Sequence, residues 1–443
     1  MKRIVSAIFI MVNIVLNAAG QITPDKNIIC VDVNVPQNAS YTYDSAFVAS
    51  KNLGMTQTGL FFTWASIETS PGVFDFSYLD IANIYYPAYN TSVDLTIAPI
   101  ATNHLEVPAD LASYPMDNPI VINRFKILLD SIFAHIPSLQ LSSLEIGSEV
   151  DVYLGSDSAK WTQYTNFYSS VSAYAKSLRV NVKVACEVTF DGLTGSSSNF
   201  VQTLNTFSDL IAVSYYPLNS DFTVKPVSII PADFAQIIEL YPSKPIYFTQ
   251  FGYPSSAVCN SSNELQSQFI QQTFASWDQY ASNIKMIDFT WMHDLSPETI
   301  SYYSTYYGIA DTKFLNFLGS IGLRTYAGSG IDKPAYNELI CQANRRGYNN
   351  INCVTSIDNN TLEPGFKIFP NPANNILFLE FNKSTNAISE IKIANAFQQE
   401  VYDKKVTGYQ TSLDISGLAA GAYFVHVTTD KGVNYIQKIL IIK

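Results

Sequence analysis

The chain is poor in charge. Only 14% of its 443 residues are Asp, Glu, Lys or Arg, where an ordinary globular protein has about 25%. Basic residues are the scarcer kind, 26 against 37 acidic ones, for a net charge of −11. That balance offers no electrostatic reason to bind nucleic acid or an anionic membrane. The four histidines are scattered, and the five cysteines form neither a CxxC pair nor a His/Cys cluster. A structural zinc site is therefore not expected, nor any other metal, and no motif asks for a cofactor. Beyond the N-terminus no run approaches the length of about 20 apolar residues that a membrane span needs. There is no internal repeat and no low-complexity tract.

What is abundant points elsewhere. The chain is 47% hydrophobic, enough to bury a large core and to exclude wholesale disorder. Low charge with 28 Tyr, 27 Phe and 20 Pro suits an extracellular polysaccharide-handling protein better than a cytosolic enzyme. At about 150 residues per domain, the length suggests two or three domains. Residues 1–20 read as a secretory signal: Lys2 and Arg3, the apolar run Ile4 to Leu16, then Ala18-Ala19-Gly20 before a cleavage point near Gln21. Export permits disulfides. Cys341 and Cys353 stand close enough in a polar stretch to pair, while Cys30 and Cys186 lie in apolar strand-like runs as buried thiols. The odd count leaves at least one thiol free or paired between molecules.

From residue 27 to about 345 short β-rich runs alternate with helical patterns. The strand-like runs are Ile28–Asn34, Gln57–Trp64, Ser92–Ala101, Leu141–Ser148, Asn181–Val188, Leu210–Tyr216, Pro245–Phe251 and Lys285–Trp291. Helical spacing marks Pro119–Ile136, Ala159–Leu178, Asp233–Tyr241 and Asn263–Ala281. Eight strands alternating with helices predict an α/β fold of the (β/α)8 TIM barrel kind over residues 25–345. An open doubly wound sheet would want a phosphate-binding glycine loop after its first strand, and Val35-Pro36-Gln37-Asn38 is not one. Residues 346–364 read as a linker. Seven short strands between turn residues then predict a small all-β sandwich over 365–443.

The segments Phe369-Pro370-Asn371-Pro372-Ala373, Leu413-Asp414-Ile415-Ser416-Gly417-Leu418 and Gly421-Ala422-Tyr423-Phe424-Val425, with a closing Lys438 to Lys443, follow one another in a particular order. In this the last 80 or so residues resemble the type A C-terminal sorting domain of the type IX secretion system. The resemblance implies export across an outer membrane by that machinery, a secreted or outer-membrane cell-surface location and a Bacteroidetes-type source.

A barrel of this kind builds its site at the C-terminal ends of its strands. There stand Asp32 and Asn34; Trp64 and Glu68; Asn103, His104 and Glu106; Glu145, Ser148, Glu149 and Asp151; Glu187; Tyr215 and Tyr216; Gln250; and Trp291, His293 and Asp294. Carboxylates beside aromatic rings and amides suit sugars: ring faces stack on C–H surfaces and carboxylates act on the acetal oxygen. The segments Trp64…Ile67-Glu68…Pro71-Gly72…Phe74-Asp75-Phe76 and Ile146-Gly147-Ser148-Glu149-Val150-Asp151 resemble those of the clan A retaining glycoside hydrolases. The resemblance implies Glu149 as acid/base, Tyr215 as the residue orienting the nucleophile and Trp291 as the floor of a subsite. Trp64, His104 and Asp294 join Tyr215 and Trp291 as candidates to hold the sugar. Glu145, deeper on the same strand, is expected to be an ion-pair partner; Asp32, His104 and His293 have a structural alternative.

Two positions depart from that pattern. Ser148 stands where the family has Asn, and Gln250, in Phe248-Thr249-Gln250-Phe251-Gly252, stands where it has the nucleophilic Glu. A retaining glycosidase needs two carboxyl groups about 5–5.5 Å apart. An amide neither stabilises an oxocarbenium ion nor forms a competent glycosyl ester. Three readings remain open: a barrel that binds glycans without cutting them; a hydrolase whose second group is Glu187, Glu106, Asp151, Asp294 or the substrate's own acetamido group; and a surface scaffold. The residues expected to carry any chemistry are Glu149, Gln250 and Glu187.

Overall fold

The structure, a computed structural model, describes residues 27–351, 353, 366–381, 388–395, 399–408, 410–430 and 434–443. The expected signal peptide and positions 354–364 of the expected linker lie outside the described residues. The chain divides between residues 355 and 356 into two compact units.

The first unit is built on parallel strands in sequence order: β1 (Ile28–Val31), β2 (Gln57–Thr63), β3 (Ser92–Ala101), β4 (Leu141–Ser148), β5, β6 (Ile211–Tyr215), β7 (Ile246–Phe251) and β8 (Ile284–Phe289). β5 is split into Val184–Ala185, which pairs with β4, and Glu187–Thr189, which pairs with β6. β8 returns to pair with β1, so the barrel is closed except at the split beside Cys186. Helices follow the strands, as the alternating pattern predicts.

Strand side chains alternate between the two faces of the wall. Ile29 and Val31, Leu95 and Ile97, Leu144 and Ile146, Val213 and Tyr215, and Ile287 and Phe289 point outward into the core shared with the helices. The Pro119–His135 helix shows how that core is met. Asn118 caps it by accepting from Ile120 N, and Pro119 fits the first turn. Val121, Phe125, Leu128, Leu129 and Ile132 recur on one face and are buried, each contributing about 1.5–3 kcal/mol for a fully buried large side chain. The opposite parity points inward. There Cys30, Ala185, Ala212, Tyr247 and Met286 make a separate small cluster. Asp32, Asp94, Glu145, Glu187 and Asp288 share that inward parity.

Cys341 and Cys353 form a disulfide, and Cys30, Cys186 and Cys259 are free buried thiols. The strand pairs of the second unit are antiparallel, in a three-stranded sheet (Phe366–Phe369, Ile376–Phe381, Gln410–Asp414) and a four-stranded one (Glu400–Gly408, Ile388–Asn395, Gly421–Thr429, Asn434–Ile441). Its core is aliphatic, with Leu377, Leu379, Ile391, Ile393, Leu413, Val425, Val427, Ile439 and Ile441 all buried. No helix among the described residues is long and apolar enough to cross a membrane.

Candidate active site

The end of β4 is shaped by a glycine. Gly147 has φ +96°, and a Cβ there would collide with Tyr164 Oη, which is held in place by donating to Ile146 O at 2.7 Å. Both conditions demand glycine. Two residues on, Glu149 adopts a left-handed φ of 46°. For a side-chain-bearing residue that conformation costs about 1–2 kcal/mol. The bend carries the half-buried Glu149 to the barrel mouth. Its Oε1 accepts from Ser214 Oγ at 2.6 Å and its Oε2 from Thr102 Oγ1 at 2.8 Å.

β7 arrives at the same place through a register shift. Val213 of β6 pairs with Phe248, but Ser214 pairs with Gln250, so one extra residue is inserted in β7. Such a bulge lets consecutive side chains face one way. Thr249 Oγ1 donates to Glu187 Oε1 at 2.7 Å, and Gln250 Nε2 donates to Glu187 Oε2 at 3.0 Å. Ser148 Oγ donates to that Oε2 at 2.5 Å, and Tyr216 Oη donates to Gln250 Oε1 at 3.1 Å. Glu187 is 3% exposed. Burial first, and then the charge of Glu149, push its carboxyl up to about 8 against the pull of its three donors.

Glu187 and Gln250 thus share one hydrogen-bonded group with Ser148, Thr249 and Tyr216, while Glu149 holds Ser214 and Thr102 beside it, near enough for its charge to act on Glu187. A cavity of about 430 Å³ opens beside Glu149, Ser214 and Tyr216, with Asp151 and Lys225 on its wall. Trp291 is half-buried just beyond β8, its ring parallel to that of Tyr303 at 6.4 Å. His104 lies at the mouth, its Nε2 2.5 Å from Tyr306 O.

Three sugar-binding expectations are corrected. Trp64 is fully buried. It opens a helical turn beyond β2, donates from Nε1 to Glu68 Oε2 at 2.8 Å and meets Phe125 edge-on at 5.0 Å. Glu68 also pairs with Arg124, so this loop is framework. Tyr215 points outward, donating to Asp233 Oδ2 at 2.6 Å and stacking on Phe251. It is Tyr216, one residue on, that reaches Gln250, because adjacent strand residues face opposite sides. Asp294 is buried against Lys333 Nζ at 2.6 Å, outside the group around Glu149.

The alternative carboxylates are engaged too. Asp151 accepts from Thr189 N and Oγ1 at 2.8 and 2.6 Å, tying down the start of the loop after β5, and burial lifts it to about 6. Glu106 accepts from Tyr306 Oη at 2.7 Å. Glu145 has no cation: it is fully buried and faces Asp94, and burial and that carboxyl together drive its pKa well up. The ion-pair expectation for Glu145 is therefore corrected. His293 is framework, its Nδ1 2.8 Å from Asn34 O. Thr102, Ser214 and Tyr307 were not singled out in the sequence, and Tyr216 and Thr249 were named without a role; strand parity gives the signal for Ser214 and Tyr216. Among the described residues, no group of three or more His, Cys, Asp or Glu side chains could hold a metal ion.

A family model described as a secretion system C-terminal sorting domain matches residues 367–443. The tail is a secretion sorting domain. It is the type IX signal, carried by secreted and cell-surface proteins. No curated protein sequence matches the chain. Among solved structures it resembles Bacteroides uniformis beta-glucuronidase 2 (TM-score 0.53, 12% identity, 94% of this chain and 46% of that one). It also resembles the exo-beta-1,4-mannosidase Op5Man5 from Opitutaceae bacterium strain TAV5 (0.57, 12%, 72% and 59%). A third is Xylanase10C from Cellvibrio japonicus, in complex with xylopentaose (0.53, 12%, 74% and 68%). The chain thus spans about half the length of the first two. These likenesses establish the fold alone: a (β/α)8 barrel ahead of the sorting domain.

Proposed function

We propose that this secreted protein binds a poly- or oligosaccharide at the mouth of its barrel and does not cleave it by double displacement. The observation that supports this most directly is the state of the β7 position. Gln250 spends its NH2 on Glu187 and its carbonyl on Tyr216, so the partner of Glu149 is a neutral amide locked in place. Glu187 is a poor substitute: it is buried, and each of its oxygens already receives a donor from the protein. General acid catalysis by Glu149 alone is worth roughly 10²–10⁴-fold, while glycosidases belong among enzymes that need 10⁶-fold or far more. What remains is a cleft of hydroxyls, a carboxylate and aromatic rings that suits a carbohydrate.

The test measures reducing-end release and glycan affinity across a polysaccharide panel for the full chain, Gln250→Glu and Glu149→Gln. The proposal expects binding without product from the unmodified chain and new activity in Gln250→Glu. Product from the unmodified chain that vanishes in Glu149→Gln would overturn it and transfer the second catalytic role to Glu187. Neither binding nor product from any of the three, with a protein partner recovered instead, would favour the scaffold.

A further inference from the structure

The Pro297–Tyr307 helix follows β8 and reaches the loop after β3. It carries Tyr302, Tyr303, Tyr306 and Tyr307, a spacing that gathers four rings onto one side of a helix. The other side, with Ile300 and Ser304, faces a separate cavity against the Thr312–Leu318 helix. The rings form two ranks. Tyr302 stacks on Tyr306 at 5.9 Å and 24°, and Tyr306 continues to His104 at 4.3 Å. Tyr303 stacks on Tyr307 at 5.7 Å and 19° and lies parallel to Trp291.

Both ranks are anchored. Tyr306 Oη donates to Glu106, and Asn103 Nδ2 donates to Tyr307 O at 3.2 Å. Behind Tyr303, Tyr307 and Trp291 lies an apolar cluster around Phe314, Phe317 and Leu318. At the inner end Tyr307 meets Thr102, the residue that donates to Glu149. At the outer end Tyr302 is 61% exposed. Not one residue of the helix is buried, so its rings are spread from solvent to the site and leave faces uncovered. The helix has no Lys or Arg, while Glu106 and Glu149 stand at its inner end.

We infer that this tyrosine helix is an extension of the glycan site, holding successive sugar units of an uncharged chain that continues outward from Glu149. The inference rests on the glycan-binding reading above and adds length and charge to it. Ring faces stack on the C–H faces of pyranoses, and each aromatic contact is worth about 0.5–1.5 kcal/mol beyond area burial. With no Lys or Arg on the helix, the carboxylates of Glu106 and Glu149 disfavour a uronate or sulfate along the tyrosine ranks.

The experiment is calorimetric titration of the full chain with xylo-, manno- and cello-oligosaccharides from disaccharide to hexasaccharide, and with oligogalacturonate as the anionic probe. Affinity for the accepted neutral series is expected to climb with length. Tyr302→Ala should lower affinity for the longest member about three- to tenfold and leave the disaccharide unchanged. Ser301→Ala, on the opposite side of the helix, should change neither. Tyr302 is exposed, so its loss leaves the fold intact. A climb with length that survives in Tyr302→Ala overturns the inference, as does oligogalacturonate bound as tightly as the neutral chain. If no oligosaccharide of any length binds, the glycan-binding reading itself falls.

Discussion

The interior of the barrel and the interior of the tail sandwich are both lined by alternate residues of β-strands. Among the described residues the tail fills its inward positions with apolar side chains, mostly Ile, Leu and Val with Tyr423 and Ala373. The barrel places Asp32, Asp94, Glu145, Glu187 and Asp288 on its inward face. Asp32 and Asp288 crowd against Gly59, where any Cβ would collide with Asp32 Oδ1. Glu145 faces Asp94 with only the Ser143 hydroxyl beside it and no cation, so a proton shared between the two carboxyls joins them. Buried carboxyls without cations cost stability, and a sandwich that need only fold and be recognised has no use for them. A barrel interior that feeds a polar cleft keeps them at the expense of its own stability.

The largest effect expected is on pH dependence. Burial raises Asp32 to about 7 and Glu187 to about 8. A raised carboxyl binds its proton more tightly in the folded chain than in the unfolded one. The folded barrel therefore carries extra protons between about pH 4 and pH 8, and its stability should fall as pH rises through that window. The tail transition should stay flat. Thermal unfolding followed separately for the two units checks this, and a barrel midpoint that rises from pH 5 to pH 8 would remove the contrast. Next in size is Leu413→Ala in the tail core, expected to cost that unit about 2–5 kcal/mol while leaving the barrel transition where it was. Urea unfolding reads it, and a shift in both transitions would mean that the units do not unfold separately. Glu145→Gln should stabilise the barrel by about 1–3 kcal/mol at pH 8 and by little at pH 4, because it removes a carboxyl whose desolvation is uncompensated. A loss at pH 8 would show that the ionised carboxyl is stabilised where it stands. The smallest change is Tyr216→Phe, which deletes one hydrogen bond to Gln250. About 0.5–1.5 kcal/mol of glycan affinity should go with it, whereas Tyr215→Phe should leave affinity unchanged. Equal effects from the two would undo the parity assignment.

Much of the fold was legible in the order of residues. The eight barrel strands and the seven tail strands fall close to where their patterns put them, because outward positions must be apolar in every strand that carries helices. β5 is the exception: its pattern runs unbroken through Cys186, and the split there reflects pairing with two different neighbours. The site was legible less evenly. Glu149 and Gln250 stand at the mouth because motif and strand end coincide. Tyr215 and Trp64 were misplaced for different reasons. Tyr215 and Tyr216 are indistinguishable in a strand pattern until the register is known, and Trp64 turns away because a helical turn begins at that residue. The tyrosine helix gave a weak signal, since none of its residues is fully buried and its rings only half cover an apolar cluster.

The amino-acid order alone determined that a (β/α)8 barrel precedes a sorting sandwich, and that the β7 position carries an amide in place of a carboxylate. These depend on local periodicity, on motif order and on a single side chain's chemistry. Only the tertiary structure decided that Gln250 is bound to Glu187, that Tyr216 and not Tyr215 reaches Gln250, and that Glu145 faces another acid. Each of these depends on the facing parity of two strands and on the one-residue shift in β7, and contacts between residues far apart in sequence leave no periodic trace along the chain.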